Sequence, residues 1–140
     1  MPQDDAMHIL VAQRLSRPVA PHLSIYKPQI TWIGSSLNRI TGVALSGALY
    51  VFGVAYLAAP VLGWQITSAG LAAGFAKWPL VAKIGAKMFA ALPFTYHSFN
   101  GLRHLVWDMG SQLTNQQVIR TGWTVVGLSI VSALGLALFV

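Results

Sequence analysis

Two histidines, His97 and His104, stand seven residues apart in the run Tyr96-His97-Ser98-Phe99-Asn100-Gly101-Leu102-Arg103-His104-Leu105-Val106-Trp107-Asp108. An imidazole can ligate a metal or carry a proton near neutral pH. On a helix the two share nearly one face, with His104 about 10.5 Å further along the axis. They cannot be the two axial ligands of one haem iron. Such nitrogens face each other across the metal, about 4 Å apart if each bond is near 2 Å. His97 therefore either ligates a metal with a ligand from another chain or hydrogen-bonds a neighbouring helix, and position alone leaves both open. His104 and Asp108, four apart, could pass protons or simply cap a helix end. A second constellation is Ser35-Ser36-Leu37-Asn38-Arg39, in which Ser35 and Arg39 share a helix face. A hydroxyl and a guanidinium side by side could hold a carbonyl-bearing head group. Arg39 could also pair with a haem propionate or a lipid phosphate, or serve only as a basic anchor at a membrane surface.

The composition narrows the chemistry further. With no Cys, the chain offers no disulfide, thiolate metal site, iron–sulfur cluster or thiol nucleophile. Its only carboxylates are Asp4, Asp5 and Asp108, which excludes a paired-carboxylate hydrolase. Charged residues make up 9 % of the 140 and apolar residues 55 %, against about 25 % charged in a soluble domain. There is too little polar surface to coat a globule in water, and a bilayer is the expected solvent. The net charge of +6 is spread beside apolar runs rather than along one stripe. That favours a lipid bilayer over nucleic acid as the partner.

The expected elements follow from hydropathy and prolines. The fold class is an all-α membrane protein, with three transmembrane helices and an N-terminal inner-side surface segment. Residues 1–34 form that segment, with a short helix over Ala6–Ser16 and an irregular stretch through Pro18, Pro21 and Pro28. Met1–Arg17 lacks the apolar core of a signal peptide. Residues 35–140 form the membrane domain, with spans of about 36–62, 79–106 and 118–140. No Asp, Glu, Lys, Arg or His occurs from Ile40 to Ala76, room enough for a helix to cross about 30 Å of hydrocarbon. Thr67–Ala76 is expected as a loop or short surface helix. Lys83 and Lys87 must reach outward at the start of the second span. Pro93 is expected to kink it by freeing the Phe89 carbonyl. Ser129, Ala133 and Ala137 recur every four residues and suit close helix packing. Basic residues divide six to three in favour of the N-terminal side, which puts that side inward.

Read together, three stretches resemble one family. The run from His97 to Asp108 is similar to the H-x-x-N-G-x-R-H-L-x-W-D signature of the large cytochrome b anchor subunit of succinate dehydrogenase, respiratory complex II. Arg17-Pro18-x-x-Pro21-His22-Leu23-x-Ile25-Tyr26 resembles that family's R-P-x-S-P-H-L-x-x-Y leading segment, with Ala20 in place of the common Ser. Ser35-x-x-x-Arg39-x-x-Gly42 resembles its S-x-x-x-R-x-(S/T)-G motif. The motifs occur in the family's order and the likeness runs from Arg17 onward.

The resemblance implies an electron-transfer subunit that does not itself oxidise succinate. His97 matches the haem b iron ligand, with the opposite ligand supplied by a small membrane anchor subunit. Ser35 and Arg39 match ubiquinone-binding residues. Arg39, Arg103 and His104 are expected near the haem, and His104 and Asp108 as proton carriers. Asn38 stands where relatives often have a His beside the propionates. Electrons would come from a flavoprotein subunit and an iron–sulfur subunit on the inner face. The implied location is the mitochondrial inner membrane, multi-pass, with the N-terminus in the matrix; a bacterial inner membrane is the other option. A fumarate reductase-type anchor and a non-redox structural membrane subunit are the competing readings.

Overall fold

A computed structural model describes residues 3–18 and 20–140. Met1, Pro2 and Val19, all within the expected surface segment, lie outside the described residues. The described chain is all-α, with α1 Gln3–Leu15, α2 Ile30–Ala58, α3 Ser68–Ala76, α4 Leu80–Asp108 and α5 Asn115–Phe139.

α1 opens with Asp4 and Asp5 in its first turn and closes with Arg14 in its last, the arrangement that suits the helix dipole. Residues 21–26 then turn tightly, with Tyr26 N–H and Ile25 N–H both donating to the His22 carbonyl. α2 begins at Ile30, six residues before the expected 36, because Pro28 ends the extended stretch and leaves the chain free to wind immediately after it. It stops at Ala58 rather than 62. Pro60 has no N–H to continue the ladder, and Gly63 turns the chain at φ 71°. Thr67 caps α3, its hydroxyl accepting from Gly70 N–H at 3.1 Å.

α4 is 29 residues long and carries Pro93 within it. It ends where Gly110 takes φ 75°. Gly110 N–H donates to Trp107 O at 2.8 Å and Ser111 N–H to Val106 O at 3.2 Å, the pair of bonds that closes a helix over a left-handed glycine. α5 starts with a capping box between Thr114 and Gln117.

Among the described residues, α2 and α5 are long and apolar enough to cross a membrane. α4 matches α2 in length, but Lys83, Lys87, Asn100, Arg103 and Asp108 lower its hydropathy. The core lies between α4 and α5, the most extensively packed pair. Val125, Ser129, Ala133 and Ala137 of α5 are buried there. Thr95 of α4 donates to Ser129 O at 3.0 Å across the seam. α2 leans on both helices more lightly, and Gly34 is its one buried residue. Its outer face presents Val43, Leu49, Val51, Val54 and Leu57 to the surroundings.

Candidate functional site

The polar residues gather at one end of the three long helices. His97 reaches from α4 to α2, where its Nδ1 lies 3.0 Å from the Asn38 carbonyl oxygen. A carbonyl only accepts, so Nδ1 carries the proton and donates. The Thr41 hydroxyl lies 3.3 Å from the same nitrogen and donates to Leu37 O at 2.8 Å. Nε2 makes no hydrogen bond among the described residues and keeps its lone pair. Metal-ligating histidines use this arrangement, one nitrogen tied to a carbonyl and the other presented to the metal. Gly42 makes room for the ring, since a β-carbon there would stand 2.8 Å from His97 Cε1. Among the described residues no three metal-ligating side chains converge. His97 thus suits a prosthetic group whose other ligand comes from elsewhere, and the residues present fit a haem.

Ser35 and Arg39 stand one turn apart on α2, beside the face that Gly34 and Gly42 present to α4. Arg39 is exposed and Ser35 half-buried. The structure brings them together on one face, as the spacing implies. Next to His97, the Asn38 Oδ1 atom is buried without a hydrogen-bond partner.

Arg103 takes another direction. It is 7 % exposed. Its Nε donates to Thr121 Oγ1 at 3.0 Å, one terminal nitrogen to Asn100 Oδ1 at 3.1 Å and the other to Val118 O at 2.7 Å. The guanidinium also lies 4.2 Å from the Trp107 ring centroid, within cation–π range. Its bonds to Thr121 and Val118 fasten α4 to α5. His104 packs edge-on against Trp107 at 5.0 Å between centroids. No hydrogen bond joins it to Asp108 among the described residues, and Asp108 is exposed.

Two participants escape a reading of side-chain types. Tyr96 is buried and its hydroxyl donates to the Gly34 carbonyl at 2.9 Å. Thr121 is an acceptor for Arg103 although it opens the uncharged stretch 121–140. The only signal for Tyr96 was its place beside His97, and for Gly34 its place beside Ser35.

Comparison with known proteins gives the lineage. Residues 13–136 match the family described as succinate dehydrogenase/fumarate reductase transmembrane subunit. The chain belongs to this family. It is 43 % identical over 131 residues to the succinate dehydrogenase cytochrome B subunit, mitochondrial, of Schizosaccharomyces pombe, covering 94 % of this chain and 73 % of that one. It is 41 % identical over 124 residues to the mitochondrial inner membrane protein SHH3 of Saccharomyces cerevisiae, 88 % of this chain and 63 % of the relative. The bovine succinate dehydrogenase cytochrome b560 subunit, mitochondrial, is 36 % identical over 123 residues, 88 % of this chain and 71 % of its own length. Membership of the family accounts for a transmembrane subunit with no cysteine and few carboxylates: the chain need not house every centre of an enzyme complex.

Proposed function

We propose that this chain is the membrane-anchoring cytochrome b subunit of a succinate:ubiquinone oxidoreductase, holding haem b and ubiquinone beside one another in the mitochondrial inner membrane. The observation that carries the reading is the His97 imidazole, tied through Nδ1 to the Asn38 carbonyl at 3.0 Å with Nε2 left over.

In this reading α2, α4 and α5 are three spans with the N-terminus on the matrix side. α4 crosses because its charges sit toward its ends. From Lys87 to Arg103 is about 24 Å along the axis, and Lys83 and Lys87 extend their ammonium groups outward. Haem b, when bound, supplies a one-electron carrier. His97 Nε2 would ligate its iron, and the Asn38 carbonyl would fix the ring's tautomer and tilt. A small membrane anchor subunit would give a second ligand.

Ser35 and Arg39 hold ubiquinone. The Ser35 hydroxyl donates to one carbonyl oxygen, and the Arg39 guanidinium stabilises negative charge as electrons arrive. Their open face of α2 is closed by the partner subunits. Electrons enter from the flavoprotein and iron–sulfur subunits on the matrix face. Protons come from the same side, with His104 and the exposed Asp108 as carriers. The family description also covers fumarate reductase, and an anchor of that type would use the same residues with electrons moving the other way.

The test is His97→Ala in the assembled complex. The dithionite-reduced spectrum is expected to lose its ferrous b-type band while succinate still reduces an artificial acceptor. An unchanged band would leave the chain a non-redox structural subunit.

A further inference from the structure

Consecutive residues of α4 grip α2 at two carbonyls one helical turn apart. Tyr96 Oη donates to Gly34 O at 2.9 Å, and His97 Nδ1 donates to Asn38 O at 3.0 Å. Each carbonyl belongs to the peptide unit whose nitrogen is that of the next residue, Ser35 in one case and Arg39 in the other. The tyrosine is therefore attached to the backbone of one candidate quinone residue and the histidine to the backbone of the other.

The Tyr96 bond is an addition to the helix and not part of its ladder, because the ladder already gives Gly34 O a backbone N–H. Tyr96 is 8 % exposed and Gly34 is buried. Glycine eases the approach: a β-carbon on Gly34 would stand 3.2 Å from the tyrosine oxygen, close enough to crowd it. One bond alone would let α2 pivot about it. Two, spaced by a turn, fix both its rotation and its height against α4. The constraint matters because α2 buries so little, with none of its most apolar stretch inside the structure.

We propose that Tyr96 is a positioning residue for the quinone site. Its hydroxyl, bonded to the Gly34 carbonyl, sets where Ser35 stands relative to His97 and so tunes quinone affinity, without touching quinone or haem. The inference rests on the quinone reading of Ser35 and Arg39 above.

The test uses the assembled complex with Tyr96→Phe, Gly34→Ala, the double variant, and Arg39→Ala as the reference for the site itself. Four quantities are read: KM and kcat for a short-chain ubiquinone, the succinate-to-artificial-acceptor rate, and haem per complex. Tyr96→Phe is expected to raise the quinone KM about three- to tenfold, the effect of one hydrogen bond. The kcat, acceptor rate and haem content stay at the wild-type level. Gly34→Ala is expected to do the same by crowding the hydroxyl. The double variant is expected to go no further than either single, since both remove one bond. A Tyr96→Phe KM within twofold of wild type, while Arg39→Ala raises it, overturns the positioning role and leaves the quinone site standing. Increases that multiply in the double variant overturn it too, as does a parallel fall in haem and acceptor rate. An Arg39→Ala enzyme with wild-type KM overturns the quinone reading itself, and this inference with it.

Discussion

Gly42 lies against the face of His97, close enough that a β-carbon on it would stand 2.8 Å from the ring's Cε1 and 3.4 Å from Nδ1. Of the two partners the ring is the one that can move, because it is the far end of a side chain while Gly42 is held in mid-helix. Gly42→Ala is therefore expected to swing the imidazole off the Asn38 carbonyl and to lower haem occupancy, with the three long helices intact. The check is haem per complex in the reduced spectrum, set beside the yield of assembled complex. Full occupancy in Gly42→Ala would mean that the ring tolerates the methyl and that this contact does not aim the ligand.

Arg103 joins α4 to α5 through two hydrogen bonds, to Thr121 and Val118, while Asn100 and the Trp107 ring hold its guanidinium from within α4. Arg103→Met keeps bulk but leaves the buried Asn100 Oδ1 without its donor and Thr121 without its α4 partner. It is expected to cost about 3 kcal/mol or more. Arg103→Lys should lose nearly as much, since an ammonium cannot serve three divergent acceptors or stack flat on indole. Thermal dissociation of the purified complex reads the difference. A lysine variant as heat-resistant as wild type would show that charge alone suffices there.

Within the proposed quinone site, Arg39 and Ser35 should differ in weight. A charge-assisted bond contributes about 1.5–3 kcal/mol and a neutral one about 1 kcal/mol. Arg39→Ala is expected to lower kcat/KM for quinone by about ten- to a hundredfold and Ser35→Ala by about fivefold. Succinate oxidation through an artificial acceptor should survive in both. Equal loss of both activities would place the defect in assembly and not at the quinone.

The seam of α5 should tolerate bulk only on its outer side. Ala133 is 0 % exposed and Val131 is 69 % exposed. Ala133→Leu is expected to destabilise by about 1–3 kcal/mol through overpacking, whereas Val131→Leu should be neutral. The two melting temperatures, compared in the same detergent, decide it.

The candidate site drew notice in the sequence because polar groups inside an apolar helix are costly to bury. His97, Asn100 and Arg103 stand out for that reason, and the fourfold spacing of Ser129, Ala133 and Ala137 pointed to the buried side of α5. Direction was harder to read. Polarity says that Arg103 needs partners, but only the packed helices show that Thr121 and Val118 supply them. Asn38 engages His97 through its backbone carbonyl, which a reading of side chains passes over. The winding of α2 also begins ahead of its apolar run. Hydropathy marks where a helix becomes apolar, whereas the winding begins where Pro28 lets go, with Ser35 and Arg39 already inside the helix.

The guanidinium buried between α4 and α5 also bears on how such a chain enters a membrane. An arginine left without partners in an apolar setting is costly, and Thr121 and Val118 become available only once α5 has been synthesised. The settling of α4 is thereby tied to the arrival of α5.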